Sequence, residues 1–212
     1  MKAEEILPIL IHQLKNNFML SEKETELLMA IRENVYRGGY NKTIECFRKA
    51  NYKYFSEENG LNPYNSVMYC NYLYQTSHIL YKEGYTEIAD KVYYLNKMLN
   101  GVDLFYAIDL PEHWSCEHPL GSVMGRAQYG DYFFFYQGCT VGGNHMNYPV
   151  IGNDVTMYSN SKILGKSHIG NNVIIGANAY VKDTDIPNDT IVFGEFPNLI
   201  FKQNKNIDKI WK

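Results

Sequence analysis

The sequence predicts an α+β protein: an N-terminal α-helical domain followed by a C-terminal left-handed parallel β-helix of hexapeptide repeats. Three observations carry that prediction. Apolar residues recur at helical spacing from Met1 to Asn100, glycine and asparagine thicken after residue 101, and every sixth residue from Ile151 to Val181 is apolar. The expected organisation is a helical domain over 1–100, a solenoid over 101–200 with a loop extruded at about 142–150, and a tail over 201–212.

In the first half, Ser21 and Glu24 form an S-x-x-E capping box ahead of Leu27, Leu28 and Ile31, and the Gly38-Gly39 pair reads as that helix's stop. A further helix is expected from Lys42 to Phe55. Asn62-Pro63 should start a longer one through Val67, Tyr72 and Ile79 to Gly84, and Thr86 to Leu99 another, closed by Gly101, giving five helices. The tyrosines on them, Tyr69, Tyr72, Tyr74 and Tyr93 among others, read as packing residues whose hydroxyls find water or a partner. His78 reads the same way.

In the second half the leading positions are Ile151, Met157, Ile163, Ile169, Ile175 and Val181, and four residues after the first five come Val155, Ser161, Ser167, Val173 and Ala179, all small or β-branched. The spacing continues backwards at Val141, Phe135 and Tyr129, flanked by Cys139, Phe133 and Ala127, and more weakly at Cys116, Leu110 and Leu104. Val141 and Ile151 stand ten positions apart, so the two registers are out of phase by four and an insertion lies at Gly142–Asn147. A period of six, with asparagine or glycine corners, describes a triangular coil of 18 residues whose backbone pairs with the coils above and below, about 4.8 Å away. Asn153, Asn160, Asn171, Asn172 and Asn178 suit the corners because asparagine tolerates positive φ.

Twenty Lys+Arg against 23 Asp+Glu leave a net charge of −3, which gives no reason to expect a nucleic-acid or membrane partner. Cys46, Cys70, Cys116 and Cys139 have no CxxC spacing, and the opening Met1-Lys2-Ala3-Glu4-Glu5 has no export-signal character. A cytoplasmic protein with reduced thiols is the expectation.

From His78 to Lys202 the chain resembles the serine O-acetyltransferases, a branch of the hexapeptide-repeat acyltransferases. The resemblance rests on ordered motifs: His78 and Gly84, then Val102-Asp103, then Glu117-His118, Gly121 and Gly125, then Thr140-Val141-Gly142-Gly143. Its spacings look like the family's, with 19 residues from Gly84 to Asp103 and 15 from Asp103 to His118. What the resemblance implies is acetyl transfer from acetyl-CoA to a hydroxyl, with no metal, in a homotrimer whose cofactor lies between neighbours; the helical half would either join two trimers into a dimer of trimers or cap the open end of the coils.

Carried over, His118 falls at the family's general base and Asp103 at the carboxylate that orients it. A hydroxyl is a poor nucleophile at pH 7, and a neutral imidazole can take its proton as it attacks a thioester. The resemblance makes the Gly143 amide the oxyanion donor and a cofactor contact, Ser159 and Ala177 the lining of the pantetheine arm, and Lys202 a partner for a CoA phosphate. Glu117 stands where the family has aspartate beside the base. Asn147-Tyr148 replaces the family's Arg-His, which helps hold the amino acid there, so His145 and Arg126 are candidate substitutes and Tyr148 occupies a substrate position. The chain's end also lacks the isoleucine by which some members dock a sulfhydrylase.

Three rival readings keep the fold. A sugar or surface-polysaccharide hydroxyl could replace serine as acceptor, with Tyr132–Tyr136 helping to form a platform. The solenoid could be a scaffold without chemistry. Zinc-lyase chemistry would need a third histidine beside His113 and His118, and none has suitable spacing.

Overall fold

The computed structural model describes residues 1–205 and 210–211, with the side chains of Arg32 and Tyr36 left aside. Five helices form the first half: α1 (Ala3–Asn17), α2 (Glu22–Ala30), α3 (Arg32–Lys49), α4 (Ser66–Lys82) and α5 (Thr86–Asn100). The Ser21–Glu24 box caps α2 as expected, and Gly101 closes α5 in the left-handed region at φ 61°.

Three boundaries differ from the sequence reading. The break near residue 30 falls at Ile31, and α3 runs straight through Gly38-Gly39. Those glycines serve packing: a Cβ on Gly39 would lie 2.5 Å from Thr76 Oγ1 and 3.2 Å from the Thr76 amide nitrogen, so only glycine lets α3 approach α4 this closely. The same helix ends at Lys49, short of Phe55, and α4 starts at Ser66, where the Asn65 side chain accepts the amide protons of Val67 and Met68.

Helix α4 is buried on every side from Val67 to Ser77, the mark of a central helix. Tyr69, Tyr72 and Tyr74 are each at most 2% exposed and pack as expected. The Tyr74 hydroxyl donates to the Ile108 carbonyl at 2.5 Å and accepts from the Leu110 amide at 3.0 Å, tying the helices to the first coil. His78 is a packing residue too: Nδ1 sits 2.6 Å from the Tyr106 carbonyl, the ring stacks on Tyr74, and burial holds its pKa below the ordinary histidine value.

The second half is a parallel β-solenoid with three faces. One stacks Trp114–Cys116, Phe133–Phe135, Val155–Met157 and Val173–Ile175. The next stacks Asp103–Leu104, Val123–Met124, Thr140–Gly142, Lys162–Leu164 and Tyr180–Lys182, and the third Gln128–Tyr129, Val150–Ile151, His168–Ile169 and Asp185–Ile186. Thr190–Glu195 closes the stack and folds back through an antiparallel strand, Asn198–Gln203. Every leading residue from Ile151 to Val181 and every partner from Val155 to Ala179 is at most 4% exposed. These interiors join the helical residues in one continuous core.

The four-residue slip appears in the register: Val155 pairs with Val173, 18 positions on, whereas Phe134 pairs with Thr156, 22 positions on. The insertion is a tight hairpin in which Asn144 and Asn147 exchange main-chain bonds of 2.9 and 3.0 Å. His145 and Met146 form its tip at φ 47° and 65°. The corner asparagines divide into two roles. Asn160, Asn172 and Asn178 take positive φ. Asn153 and Asn171 instead accept, through Oδ1, the backbone amides of Asp131 and Asn153, continuing a ladder from Asn188 Oδ1 to the Asn171 amide. Asp131 ends that ladder on the His113 amide and also holds the His113 ring at 2.8 Å.

Candidate active site

The candidate residues separate onto two corners. His118 is an exposed residue in the left-handed region, φ 52°, just after strand Trp114–Cys116 and before buried Pro119. Main-chain bonds stack the residues one position earlier: Glu117 donates to Phe135, Tyr136 to Met157, Tyr158 to Ile175 and Gly176 to Val192. One position on, His118, Gln137, Ser159 and Ala177 therefore climb one edge of the solenoid. The left-handed turns at Gly138, Asn160 and Asn178 lie beside them. Lys202 reaches the top of the same edge. Its Nζ lies 5.4 Å from the centre of the Phe193 ring, and that ring packs on Gly176, where a Cβ would be 2.7 Å from Phe193 Cδ1. Four coil steps of about 4.8 Å separate the His118 level from the top, roughly 19 Å.

The other group sits one face away. Arg126 follows Gly125, whose amide donates to Val141, and Gly142 accepts from Gly165. Gly143, His145 and Tyr148 belong to the hairpin that leaves the same corner one coil above Arg126. A Cβ on Gly143 would meet the Tyr148 ring at 2.6 Å, so glycine is required there. Among the described residues no main-chain acceptor outside the strands takes its amide. His145 is exposed at the tip.

Asp103 is not hydrogen-bonded to His118 among the described residues. Its carboxylate accepts from the Tyr93 hydroxyl at 2.8 Å and pairs with Lys97 Nζ at 2.7 Å. The physical reason is local: only Gly101 and Val102 separate α5 from strand Asp103–Leu104, so the last turns of that helix overhang the carboxylate. The Lys97 pair is exposed, and such pairs are worth about 0–1 kcal/mol, so little holds it closed.

Glu117 opens onto a cavity of about 310 Å³ between the solenoid face and residues 50–54, lined also by Lys53, Tyr54, Ser115, Phe134 and Tyr136. Lys53 Nζ lies 4.7 Å from the Tyr54 ring centre, and its pKa is raised by Tyr54 first and Glu117 after it. Ile210 covers one side, accepting from the Asn51 amide at 2.7 Å, while Trp211 packs on Phe134 and Tyr132. The aromatic run is thus divided: Phe133 and Phe135 are core, and Phe134 and Tyr136 wall the cavity.

Sequence reasoning missed Lys53, Ser115 and Gln137. Gln137 Oε1 is buried without a partner, an acceptor left over on the His118 edge. That orphan and the small Ser159 and Ala177 side chains fit an extended, amide-bearing arm laid along the edge. A larger cavity, about 790 Å³ between α3, α4 and Leu110–Glu112, lies away from these corners, and its histidine, His78, is held by packing. Among the described residues no group of three or more His, Cys, Asp or Glu could hold a metal ion, and no helix is long and apolar enough to cross a membrane.

Comparison with known proteins agrees with the fold. Residues 148–183 match the family described as bacterial transferase hexapeptide (six repeats). The serine acetyltransferase of Synechococcus elongatus is 31% identical over 142 residues, covering 65% of this chain and 58% of that protein. That of Staphylococcus epidermidis is 30% identical over 138 residues, covering 63% of this chain and 64% of that protein. The chain thus spans about three-fifths of these relatives. The crystal structure of serine acetyltransferase isoform 3 from Entamoeba histolytica, in complex with cysteine, superposes with a TM-score of 0.64 at 25% identity, covering 95% of this chain and 74% of that one.

Proposed function

We propose that this chain is an acetyl-CoA-dependent O-acetyltransferase of the serine acetyltransferase type, working as a homotrimer. The observation that carries the reading is the division of the candidate residues between two corners. His118, Ser159, Ala177 and Lys202 share one edge, while Gly143, Arg126, His145 and Tyr148 share another. Neighbouring copies packed around a threefold axis would bring one chain's His118 edge against the next chain's Gly143 hairpin. The likeness to serine acetyltransferases supports that assembly and its chemistry.

In this reading the acyl donor's arm lies along the His118 edge, with Gln137 Oε1 accepting one of its amide protons and Lys202 meeting phosphate. The acceptor hydroxyl enters beside Glu117, and neutral His118 removes its proton as it attacks the thioester carbon. The proton passes to the departing thiolate, which leaves as free thiol. Asp103, on leaving Lys97, steadies the imidazolium. The Gly143 amide of the adjoining copy meets the developing oxyanion, worth about 3 kcal/mol for one such donor.

The test is thiol release from acetyl-CoA by the purified protein, with L-serine and a panel of sugars as acceptors. Release with serine that vanishes in His118→Ala supports the proposal. Release with sugars alone would move the acceptor to a carbohydrate, for which the Phe134 and Tyr136 walls would serve as the platform. No release with any acceptor would overturn acetyl transfer.

A further inference from the structure

The acceptor cavity has an unusual charge arrangement. Glu117 and Lys53 face one volume of about 310 Å³, the carboxylate from the solenoid and the ammonium from the segment after α3. No salt bridge joins them among the described residues, so each charge remains open to a third party. Ser115, on the solenoid face, lines the same cavity and is 2% exposed. The hairpin corner, by contrast, carries Asn147 and Tyr148, neither of them a cation, and Asn147 Nδ2 is turned back onto the Asn144 and His145 carbonyls. The hairpin therefore presents no cation at those two positions.

We infer that Lys53 determines acceptor specificity by binding the acceptor's carboxylate opposite Glu117, which takes its ammonium, so that the site selects a small zwitterionic hydroxy amino acid over a neutral sugar. The two charges make a clamp with a defined polarity. Lys53 is exposed and Glu117 half-buried, so each contact is a charge-assisted hydrogen bond made at the open rim of the cavity. A sugar would leave both charges unmatched, which is discrimination by exclusion as well as by attraction. Lys53 acts on binding and not on proton transfer. This inference rests on the acetyl-transfer reading above, and its test separates the two.

The experiment compares L-serine, L-serine methyl ester and 3-hydroxypropionate as acceptors for wild type, Lys53→Gln, Lys53→Arg and Glu117→Gln. Lys53→Gln should raise KM for L-serine about tenfold with kcat within about twofold, the loss expected for one charge-assisted contact. It should leave KM for the ester, which has no carboxylate, unchanged. Lys53→Arg should restore most of the L-serine affinity. Glu117→Gln should mirror this, weakening L-serine and sparing 3-hydroxypropionate. Equal losses for L-serine and its ester in Lys53→Gln, or no loss at all, would overturn the role of Lys53 while leaving acetyl transfer standing. Should wild type release no thiol with any acceptor, acetyl transfer fails. Calorimetric titration of L-serine into wild type and Lys53→Gln then decides the clamp alone: tighter binding to wild type supports it, and equal or absent binding overturns it.

Discussion

The helical half and the solenoid use glycine and asparagine for opposite purposes. In α3, Gly39 sits mid-helix because Thr76 leaves no room for a Cβ. In the solenoid, Gly138, Asn160 and Asn178 sit at one corner of successive coils because the chain must turn through positive φ there. The first requirement comes from another helix and has no local sign. The second repeats with every coil and can be counted along the chain. Position in sequence thus fixes position in space only in the solenoid, and the candidate site draws on both halves.

The strongest test of that contrast is His118→Ala. Removal of a general base costs on the order of 10²–10⁴ in rate, so thiol release should fall by that range while circular dichroism stays at the wild-type signal. Next come core truncations. Ile163, fully buried among coils above and below, should lose about 2–5 kcal/mol as Ile163→Ala in denaturant unfolding. Gly39→Leu should also destabilise, by forcing α3 away from α4. Should it prove neutral, the packing role assigned to Gly39 fails.

Ladder and pH effects are smaller. Asn171→Ala removes the acceptor for the Asn153 amide and should cost about 1 kcal/mol by the same measurement. Burial holds the pKa of His78 below its unfolded value of about 6.5, so the unfolded chain takes up the proton first. The His78 contribution is therefore complete above that value and declines as pH falls below it. His78→Asn removes this titration, so its melting temperature should fall less than that of wild type between pH 7 and pH 5.

Much of the solenoid was legible in the sequence because each hexad places one residue inward, and the leading residues Ile151, Met157, Ile163, Ile169, Ile175 and Val181 are all core. The four-residue slip likewise predicted the hairpin before Val150. The helix ends were less legible. Gly38-Gly39 carries the local signature of a stop, and only the neighbouring α4 explains why the helix continues. In the candidate site, the motif spacing singled out His118 and Gly143. It could not show that Lys97 and Tyr93 hold Asp103, because that contact depends on how α5 meets the first coil. Lys53 was hidden for the same reason: its cavity exists only once residues 50–54 lie against Glu117 and Phe134.

Mixing two inactive variants tests the shared-site claim most directly. His118→Ala lacks the base but keeps the hairpin, and Gly143→Val keeps the base but drives a side chain into the Tyr148 ring. Unfolded together and refolded as mixed assemblies, the two should recover a substantial part of wild-type thiol release, since some interfaces then join an intact His118 edge to an intact hairpin. A mixture as inactive as its components, with mixed assemblies confirmed by native mass spectrometry, would contradict a site built between copies.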